Sequence, residues 1–234
     1  MKTANAMSNA YHSHFPPPQS ADESGLVALT DEMNTNLLLD AYYHGIFPWS
    51  EGPVRWYSPD PRAIFLRDRI KLPGKLGKII RKGGFVITFD TAFKEVITAC
   101  ADTPREGSWI SDAFITHYTR LHEMGYAHSA EVWQGERLVG GLYGVQIGGF
   151  FAGESMFHHV SNASKVAFAA LIEQLDLIGI RLIDAQVLND HTAKLGAVLV
   201  HRRDYLYLLE RAIHAPVRFD AEKWPPTPLK REVG

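Results

Sequence analysis

The chain is poor in two features that would place it outside a reducing, aqueous compartment. Its 234 residues include one cysteine, Cys100, so no disulfide can form within the chain. No apolar run approaches the roughly 18 residues that a membrane-spanning helix needs. The first twenty residues contain three consecutive prolines but no apolar stretch typical of a secretory signal. We therefore predict a cytoplasmic monomer without membrane contact, in which residues 1–20 form a flexible tail.

The phosphate-binding loops of nucleotide-dependent enzymes are missing as well. Neither the Gly-x-x-x-x-Gly-Lys-Ser/Thr loop nor the Gly-x-Gly-x-x-Gly fingerprint occurs. The 11 histidines are scattered without the spacing of a zinc site. We expect no metal and no cofactor, so any group that the protein transfers must arrive on an activated donor.

The patterns that are present predict an α+β fold. The length allows one large domain or a main domain with a small satellite. Strands and helices alternate from about residue 63 around a meander of antiparallel strands, unlike a doubly wound parallel sheet. We predict a small N-terminal domain at 21–62 packed on a mixed α/β catalytic domain at 63–234. A sheet of this kind commonly splays at one strand end, and the opening is the expected ligand cleft.

Hydrophobic spacing and turn residues locate the individual elements. Helices are predicted at 36–44, 75–82, 92–100, 112–124 and 164–177, with a one-turn helix starting at residue 189 or 190. Strands are predicted at 63–66, 85–89, 127–133, 137–146, 150–153 and 182–188. Residues 205–213 fit a helix or a strand, whereas the proline-rich and aromatic stretch at 46–62 fits neither.

A basic segment is the one local indication of a nucleic-acid partner, because the net charge of −2 gives no global one. The stretch from Arg67 to Lys82 contains seven basic residues and a single acidic one, Asp68. Lysines at 75, 78 and 82 share one face of the predicted helix. This segment is either a solvated surface helix or a phosphate-binding surface. The candidate phosphate contacts are Lys71, Lys75, Lys78, Arg81 and Lys82.

Two polar residues in an apolar strand are the strongest candidates for chemistry. Asp184 and Gln186 are two positions apart, so a regular strand projects both side chains on one side. Buried carboxylates and amides need hydrogen-bond partners. A carboxylate in contact with an amide can position and polarise a substrate amine. The alternative is a buried bridge between the two that only sets the register of the strand.

Two tryptophans close together leave a similar choice open. Trp49 and Trp56 lie within eight residues of each other, among prolines. They are either a core plug, where the small N-terminal part docks, or a platform on which a base or an aromatic side chain stacks.

Several short words in fixed order resemble the bacterial leucyl/phenylalanyl-tRNA–protein transferase family. The words are Gly-Ile-Phe-Pro-Trp at 45–49, Trp-x-Ser-Pro-Asp-Pro-Arg at 56–62, Gly-Ser-Trp-Ile at 107–110, Gly-Glu-Ser-Met-Phe at 153–157 with Asn-Ala-Ser-Lys at 162–165, and Leu-Ile-Asp-x-Gln-Val-Leu-Asn-Asp-His at 182–191. The resemblance runs from about residue 25 to residue 205. Each word is weak alone, but their order makes coincidence improbable.

This resemblance implies an activity and a site. Enzymes of the family move Leu, Phe or, less well, Met from aminoacyl-tRNA to a protein's N-terminal Arg or Lys, which marks that protein for N-end-rule degradation. Their core is similar to the N-acetyltransferase (GNAT-like) fold. By resemblance, Asp184 orients Gln186, whose carbonyl oxygen draws a proton from the attacking amine. The substrate-binding residues implied are Trp49 and Trp109 for the terminal aminoacyl-adenosine, Gly153, Glu154, Met156 and Ile183 for the pocket floor, Leu142, where some relatives have Met, and Asn189.

Two other functions remain open on the residues alone. A CoA-dependent N-acyltransferase would share the core, but its pyrophosphate loop is rich in glycine, and residues 157–164 contain none. A non-catalytic tRNA-binding module would use Asp184 and Gln186 only structurally. A cationic acceptor terminus calls for negative charge nearby, which Asp184 and Glu154 are placed to supply. For Asn189 itself, the local sequence favours a helix cap.

Overall fold

A computed structural model describes residues 13–49, 53–72, 74–103 and 109–221. Most of the predicted tail, residues 1–12, lies outside these ranges, as do Gly107 and Ser108 of the family-like words. The described residues form an α+β fold with a small three-stranded sheet and a seven-stranded one. The predicted class is therefore confirmed. None of the described helices has the length and apolar character needed to cross a bilayer.

The small sheet lies where the sequence predicted no regular structure. It consists of β1 (Leu26–Thr30), β2 (Phe47–Pro48) and β3 (Val54–Tyr57), with β3 in the middle and both pairings antiparallel. Prolines at 48, 53, 59 and 61 lie in or beside these short strands and count against a strand, which is why the prediction for 46–62 was wrong. Helix α1 (Thr35–Tyr43) agrees with its prediction to within one residue at each end.

Seven strands, six further α-helices and a short 3₁₀ helix (Pro18–Ser20) are the other regular elements of the described chain. The strands are β4 (Arg62–Phe65), β5 (Val86–Phe89), β6 (Ala127–Gln134), β7 (Arg137–Ile147), β8 (Phe150–His158), β9 (Leu182–Gln186) and β10 (Ala197–Val200). The helices are α2 (Leu76–Gly83), α3 (Phe93–Ala101), α4 (Asp112–Glu123), α5 (Ala163–Ile178), α6 (Asp190–Leu195) and α7 (Arg202–Ile213). Strand β8 is longer than predicted, 205–213 is helical, and β10 was not predicted.

The large sheet separates two hydrophobic clusters. Its strand order is β10-β4-β9-β8-β7-β6-β5. Neighbouring strand residues alternate between the clusters: Phe150 and Leu182 pack with α1, α3, α4 and α7, whereas Phe151 and Ile183 pack with α2 and α5. The molecule therefore has helices on both faces of one mixed sheet.

One pairing of the sheet is parallel and incomplete. Strands β8 and β9 pair only from Phe150 with Leu182 to Ala152 with Asp184, while the other pairings are antiparallel. Beyond Ala152, strand β8 continues to His158 without β9 beside it. The sheet therefore splays between these two strands, and residues 153–158 face the opening.

The two tryptophans have different environments. Trp56 is fully buried and its indole N–H donates to the Thr30 hydroxyl at 2.9 Å, so it belongs to the core. Trp49 is 45% exposed and contacts Tyr57 edge-on, with ring centroids 5.9 Å apart. The core possibility is therefore confirmed for Trp56, whereas stacking of a base on the accessible ring of Trp49 stays a prediction.

Helix α6 begins with a capping box that fixes the wall of the opening. The side-chain oxygen of Asn189 accepts the N–H groups of His191 and Thr192, each at 2.9 Å, and the Thr192 hydroxyl accepts the N–H of Asn189 at 2.9 Å. Asn189 therefore acts as the cap that its local sequence favours.

Replacing Asn189 by Ala should lower the free energy of unfolding by about 0.5–2 kcal/mol, because two N–H groups lose their acceptor. Urea denaturation measures the change. Asn189→Asp is the matched control, since its carboxylate accepts the same N–H groups and also favours the positive end of the helix dipole. An equal loss in both variants would show that the cap is not what stabilises α6.

Candidate active site

The splay between β8 and β9 opens into a cavity of about 480 Å³. Ten residues that the sequence singled out line this cavity: Trp49, Trp109, Leu142, Gly153, Glu154, Met156, Ile183, Asp184, Gln186 and Asn189. They come from the residue after β2, the segment before α4, three strands of the large sheet and the cap of α6. Only the tertiary fold brings such distant residues to one place.

A β-bulge positions Asp184 and Gln186. In the pairing of β4 with β9, Ile64 lies opposite Asp184 and Ala63 opposite Gln186, so Ala185 is the extra residue. Gln186 then takes a φ of +61°, a left-handed conformation that is uncommon outside glycine. Bulges next to active sites re-aim side chains, and a strained backbone persists only where its surroundings hold it.

The contact between Asp184 and Gln186 differs from the one predicted. The Asp184 carboxylate (Oδ1) accepts the backbone N–H of Gln186 at 2.8 Å, not its side-chain amide. The reason is the bulge, which interrupts the regular alternation that would have placed the side chains together. Asp184 therefore holds the backbone conformation from which the Gln186 side chain extends.

A buried arginine neutralises Asp184. The Arg62 guanidinium donates to both carboxylate oxygens of Asp184, at 3.0 and 2.6 Å, and to the Gly45 carbonyl at 3.0 Å. Both side chains are 0–1% exposed. The Tyr205 hydroxyl donates to Asp184 at 2.9 Å, and the guanidinium lies over the rings of Phe47 and Tyr205. Burial is the largest single influence and disfavours the charge, but Asp184, Tyr205 and Glu154 together outweigh it and raise the pKa of Arg62.

A second carboxyl group fixes the orientation of the Gln186 amide. The Gln186 amide nitrogen donates to Glu154 Oε1 at 2.8 Å, and the Tyr118 hydroxyl donates to Glu154 Oε2 at 3.3 Å. The Tyr42 hydroxyl is 2.6 Å from that of Tyr118. An ionised carboxylate only accepts hydrogen bonds, so Gln186 must present its NH₂ group to Glu154. Its carbonyl oxygen is thereby left to accept a bond from a ligand.

Glu154 lines the cavity, and opposing influences on its carboxyl group nearly cancel at neutral pH. Its pKa is raised to about 7: burial is the largest cause and the charge of Asp184 adds to it, while hydrogen bonds from Tyr42 and Tyr118 and the charge of Arg62 oppose the rise. Burial, and next the charge of Glu154, raise the pKa of both tyrosines, which keeps them donors. The two carboxyl groups therefore differ: one is paired with an arginine, and the other can gain or lose a proton near neutrality.

The floor of the cavity is apolar and its mouth is aromatic and polar. The apolar lining includes Leu142, Phe151, Phe168, Leu171 and Ile183, which are buried, and the partly buried Met156. Trp109 packs edge-on against Phe114, with centroids 5.4 Å apart. Trp49 is the exposed aromatic side chain at the mouth.

The five basic residues of the predicted phosphate surface lie outside the cavity. Lys71, Lys75, Lys78, Arg81 and Lys82 are all exposed, and none of them forms an ion pair with another described residue. Leu76, Ile79 and Ile80 of α2 pack against the core below them. The backbone N–H of Lys71 donates to the carbonyl of Leu195 at 2.8 Å, and Leu195 lines the cavity. The basic segment therefore adjoins one wall of the cavity.

Sequence reasoning missed the partners of the two carboxyl groups. Arg62, Tyr42, Tyr118 and Tyr205 were not among the candidate residues, although Arg62 belongs to a family-like word. A charged residue opening an apolar strand, as Arg62 does before Ala63, Ile64 and Phe65, was the available signal. In the part of the chain that the structure describes, no three His, Cys, Asp or Glu side chains are grouped to hold a metal ion.

An apolar cleft that ends on an amide oxygen and a titratable carboxyl group, in a splayed α+β sheet, is typical of an enzyme that transfers an acyl group to an amine. The leucyl/phenylalanyl-tRNA protein transferase model matches residues 64–210, and the model of that family's N-terminal domain matches residues 31–60. The chain belongs to the leucyl/phenylalanyl-tRNA–protein transferase family. The resemblance drawn from the sequence is confirmed.

Curated relatives match over nearly the whole length. A leucyl/phenylalanyl-tRNA–protein transferase of Shewanella baltica strain OS155 is 45% identical over 231 residues, 96% of either chain. One of Pseudoalteromonas atlantica is 46% identical, covering 92% of this chain and 94% of its own, and one of Syntrophotalea carbinolica is 47% identical, covering 85% and 88%. A solved structure of a functionally unknown protein from Staphylococcus epidermidis gives a TM-score of 0.30 at 12% identity over 60% of this chain and 69% of that one, too low to support an argument.

Replacing Arg62 by Met should lower the free energy of unfolding by about 3–5 kcal/mol, because it leaves the Asp184 carboxylate buried without its counter-charge. Chemical denaturation measures the loss. The double variant Arg62→Met/Asp184→Asn should recover much of it, since no charge is then buried alone. A double variant no more stable than Arg62→Met would show that charge pairing is not the source of the effect.

Proposed function

We propose that the protein transfers an aminoacyl group from aminoacyl-tRNA to the N-terminal amine of an acceptor protein. The donors are leucyl- and phenylalanyl-tRNA, with methionyl-tRNA a poorer one, and the acceptors begin with Arg or Lys and are thereby marked for N-end-rule degradation. The observation that carries the proposal is one cavity in which an apolar floor ends on the Gln186 amide, beside Glu154. Family membership supports the same reaction class.

The reaction needs little beyond positioning. The nitrogen of the acceptor amine attacks the ester carbonyl carbon, the bond from that carbon to the ribose oxygen breaks, and the proton lost from nitrogen ends on the ribose oxygen. An α-amine has a pKa near 7.7–8.0, so roughly a tenth is neutral at pH 7. The ester is already activated, which suits a site without a nucleotide loop. Holding ester and amine in line can contribute up to roughly 7–11 kcal/mol to lowering the barrier.

Gln186 is the residue that aims the amine. Its amide cannot titrate, but its carbonyl oxygen accepts a hydrogen bond from the attacking nitrogen once the NH₂ group is bound to Glu154. Asp184 holds the backbone N–H of Gln186 and thereby supports its uncommon φ. The catalytic pair thus divides into a residue that touches substrate, Gln186, and one that positions it, Asp184.

Glu154 supplies the negative charge for the cationic acceptor terminus. Asp184 is bound by Arg62, so its charge is cancelled, and the expectation that it attracts the acceptor is dropped. Glu154 forms no such ion pair in the described contacts; it is bound by the amide of Gln186 and by the hydroxyls of Tyr118 and Tyr42. An approaching cation favours its ionised form, which is also the form that orients Gln186.

The aminoacyl group and the tRNA are bound by separate surfaces around Gln186 and Glu154. The apolar floor at Leu142, Gly153, Met156 and Ile183 suits an aliphatic or aromatic side chain and rejects a polar one. Trp49 and Trp109 offer faces on which the terminal adenine can stack. Lys71, Lys75, Lys78, Arg81 and Lys82 contact acceptor-stem phosphates, which position the tRNA without reading sequence.

The wider organisation is part of the proposal. The core has a GNAT-like arrangement, for which the splay between β8 and β9 is the supporting feature. The chain divides into a tail at 1–20, a small domain at 21–62 and a catalytic domain at 63–234. It works as a cytoplasmic monomer without cofactor. A CoA-dependent N-acyltransferase is the alternative, disfavoured by the absence of glycine from residues 157–164.

Incubation with [¹⁴C]Leu-tRNA and an Arg-terminated peptide tests the function. Label should move into the peptide, and Gln186→Ala and the similar-sized Gln186→Met should each slow transfer by about 10²-fold or more, because the amine loses its acceptor. Affinity for tRNA should hardly change. Equal losses of transfer and affinity would make Gln186 structural. tRNA binding without transfer would support a binding module, and activity only with acyl-CoA would support the alternative enzyme.

Salt dependence tests the phosphate surface. Neutralising Lys75, Lys78 and Lys82 together should reduce the slope of log K against log salt for tRNA by about 2, because each lost phosphate contact removes roughly 0.7–0.9. The matched control replaces three exposed cations elsewhere, Lys94, Arg137 and Arg181, and should leave the slope nearly unchanged. An unchanged slope in the first variant would place the phosphate contacts elsewhere.

A further inference from the structure

Four basic side chains gather at the mouth of the cavity, apart from the segment at 71–82. His158 ends β8, Lys165 lies in the first turn of α5, and His191 and Lys194 lie on α6. All four are exposed, and the two histidines line the cavity. We call these four residues the rim cations.

The rim cations lie close to one another. The His191 ring (Nε2) is 3.0 Å from the sulfur of Met156, and the His158 ring (Nδ1) is 3.4 Å from the Ser164 hydroxyl. Burial lowers the pKa of His191, and the charges of Lys165, His158 and Lys194 lower it further. The positive charge at this edge of the opening near neutral pH is therefore that of Lys165 on α5 and Lys194 on α6, with the two imidazoles beside them.

No acid in the described part of the chain forms an ion pair with a rim cation. Asp190 is the acidic residue of the first turn of α6. Lys165 lies in the first turn of α5, which has no acidic residue, although the helix dipole disfavours a cation there. Lys165 and Lys194 each adjoin a residue that lines the cavity, Ser164 and Leu195, and neither has an acidic partner, which indicates that an anion completes the site.

The proposed substrate brings such an anion to this place. With the aminoacyl group on the floor and the terminal adenosine within the cavity, the RNA chain must leave through the mouth. The first group to emerge is the phosphodiester on the 5′ oxygen of that adenosine. Trp49, which the stacking proposal assigns to the adenine, is exposed at the same mouth.

Resting on the proposed function, we propose that the rim cations bind the phosphodiester that joins the terminal adenosine of the tRNA to the preceding nucleotide. Lys165 and Lys194 donate to its non-bridging oxygens, and the histidines line the same site. Lys194 precedes Leu195, whose carbonyl accepts the N–H of Lys71. The rim cations therefore continue into the basic segment, which gives the RNA backbone a cationic path from the cavity towards the acceptor stem.

Two small ligands isolate this phosphate. Both are leucyl-adenosine analogues with an amide in place of the ester, one with a free 5′ hydroxyl and one with a 5′ methyl phosphate. Calorimetry should find the phosphorylated analogue on the order of tenfold tighter at low salt, since one added charge-assisted contact is worth about that factor. Raising the salt concentration should reduce the ratio.

The variant Lys165→Ala/Lys194→Ala should bring the two analogues to nearly equal affinity. The matched double variant Lys94→Ala/Arg181→Ala should retain the tenfold ratio, because those cations lie on α3 and just before β9 and belong to neither proposed phosphate surface. All four side chains are exposed, so both variants are expected to fold, which thermal melts verify. A ratio that survives Lys165→Ala/Lys194→Ala, or one that is near unity in the unmodified protein, would overturn the proposal.

The same measurements distinguish failure of the phosphate site from failure of the proposed transferase function. Binding of the 5′-hydroxyl analogue without any gain from the phosphate would refute the phosphate site and leave the transferase function standing. Failure of both analogues to bind, together with tight binding of CoA that requires Lys165 and Lys194, would refute the proposed function. In that case the rim cations would hold a pyrophosphate instead.

Discussion

The ion pair between Arg62 and Asp184 is the constraint on which the active-site geometry depends. It joins the first residue of β4 to the middle of β9, and through Tyr205 and the Gly45 carbonyl it reaches α7 and the end of α1. Two charges buried to this degree are stable only together, so the elements that carry them cannot separate cheaply. Because its charge is cancelled, Asp184 can bind the backbone of Gln186 without drawing a cationic substrate onto itself.

Two carboxyl groups in one cavity therefore have different tasks. Asp184 is paired with Arg62 and has a structural role. The pKa of Glu154 is raised, mainly by burial, to about 7, so the charge of Glu154 responds to the ligand that binds. The amide of Gln186 lies between them, with its backbone held by one and its NH₂ group by the other. The neutral Gln186 side chain is therefore held in one orientation. This suits a reaction in which the donor ester is already activated and the attacking amine mainly needs to be positioned.

Different surfaces in and around the cavity suit different parts of a large substrate. Apolar side chains at the floor suit the aminoacyl group, aromatic rings near the mouth suit a base, and cations at the rim and along α2 suit phosphates. These surfaces are contiguous because β8 extends beyond its last pairing with β9, which exposes residues 153–158 along one side of the opening. A sheet with a complete β8–β9 pairing would have closed this space with backbone hydrogen bonds.

Much of this molecule was predictable from the order of its residues. Helix α5, the cap at Asn189 and the α+β class follow from periodicity and turn chemistry, which act over a few residues. The words around Gln186 led to the family, and all ten predicted catalytic and substrate-binding residues line the cavity. Prolines in or beside β2 and β3 conceal those strands, and the four apolar residues of β10 do not distinguish a strand from a helix. The pairing of Arg62 with Asp184 spans 122 positions, and the bulge at Ala185 depends on the register with β4. Contacts at that range leave no periodic trace in the chain, so which charge is neutralised and which stays available was settled only by tertiary packing.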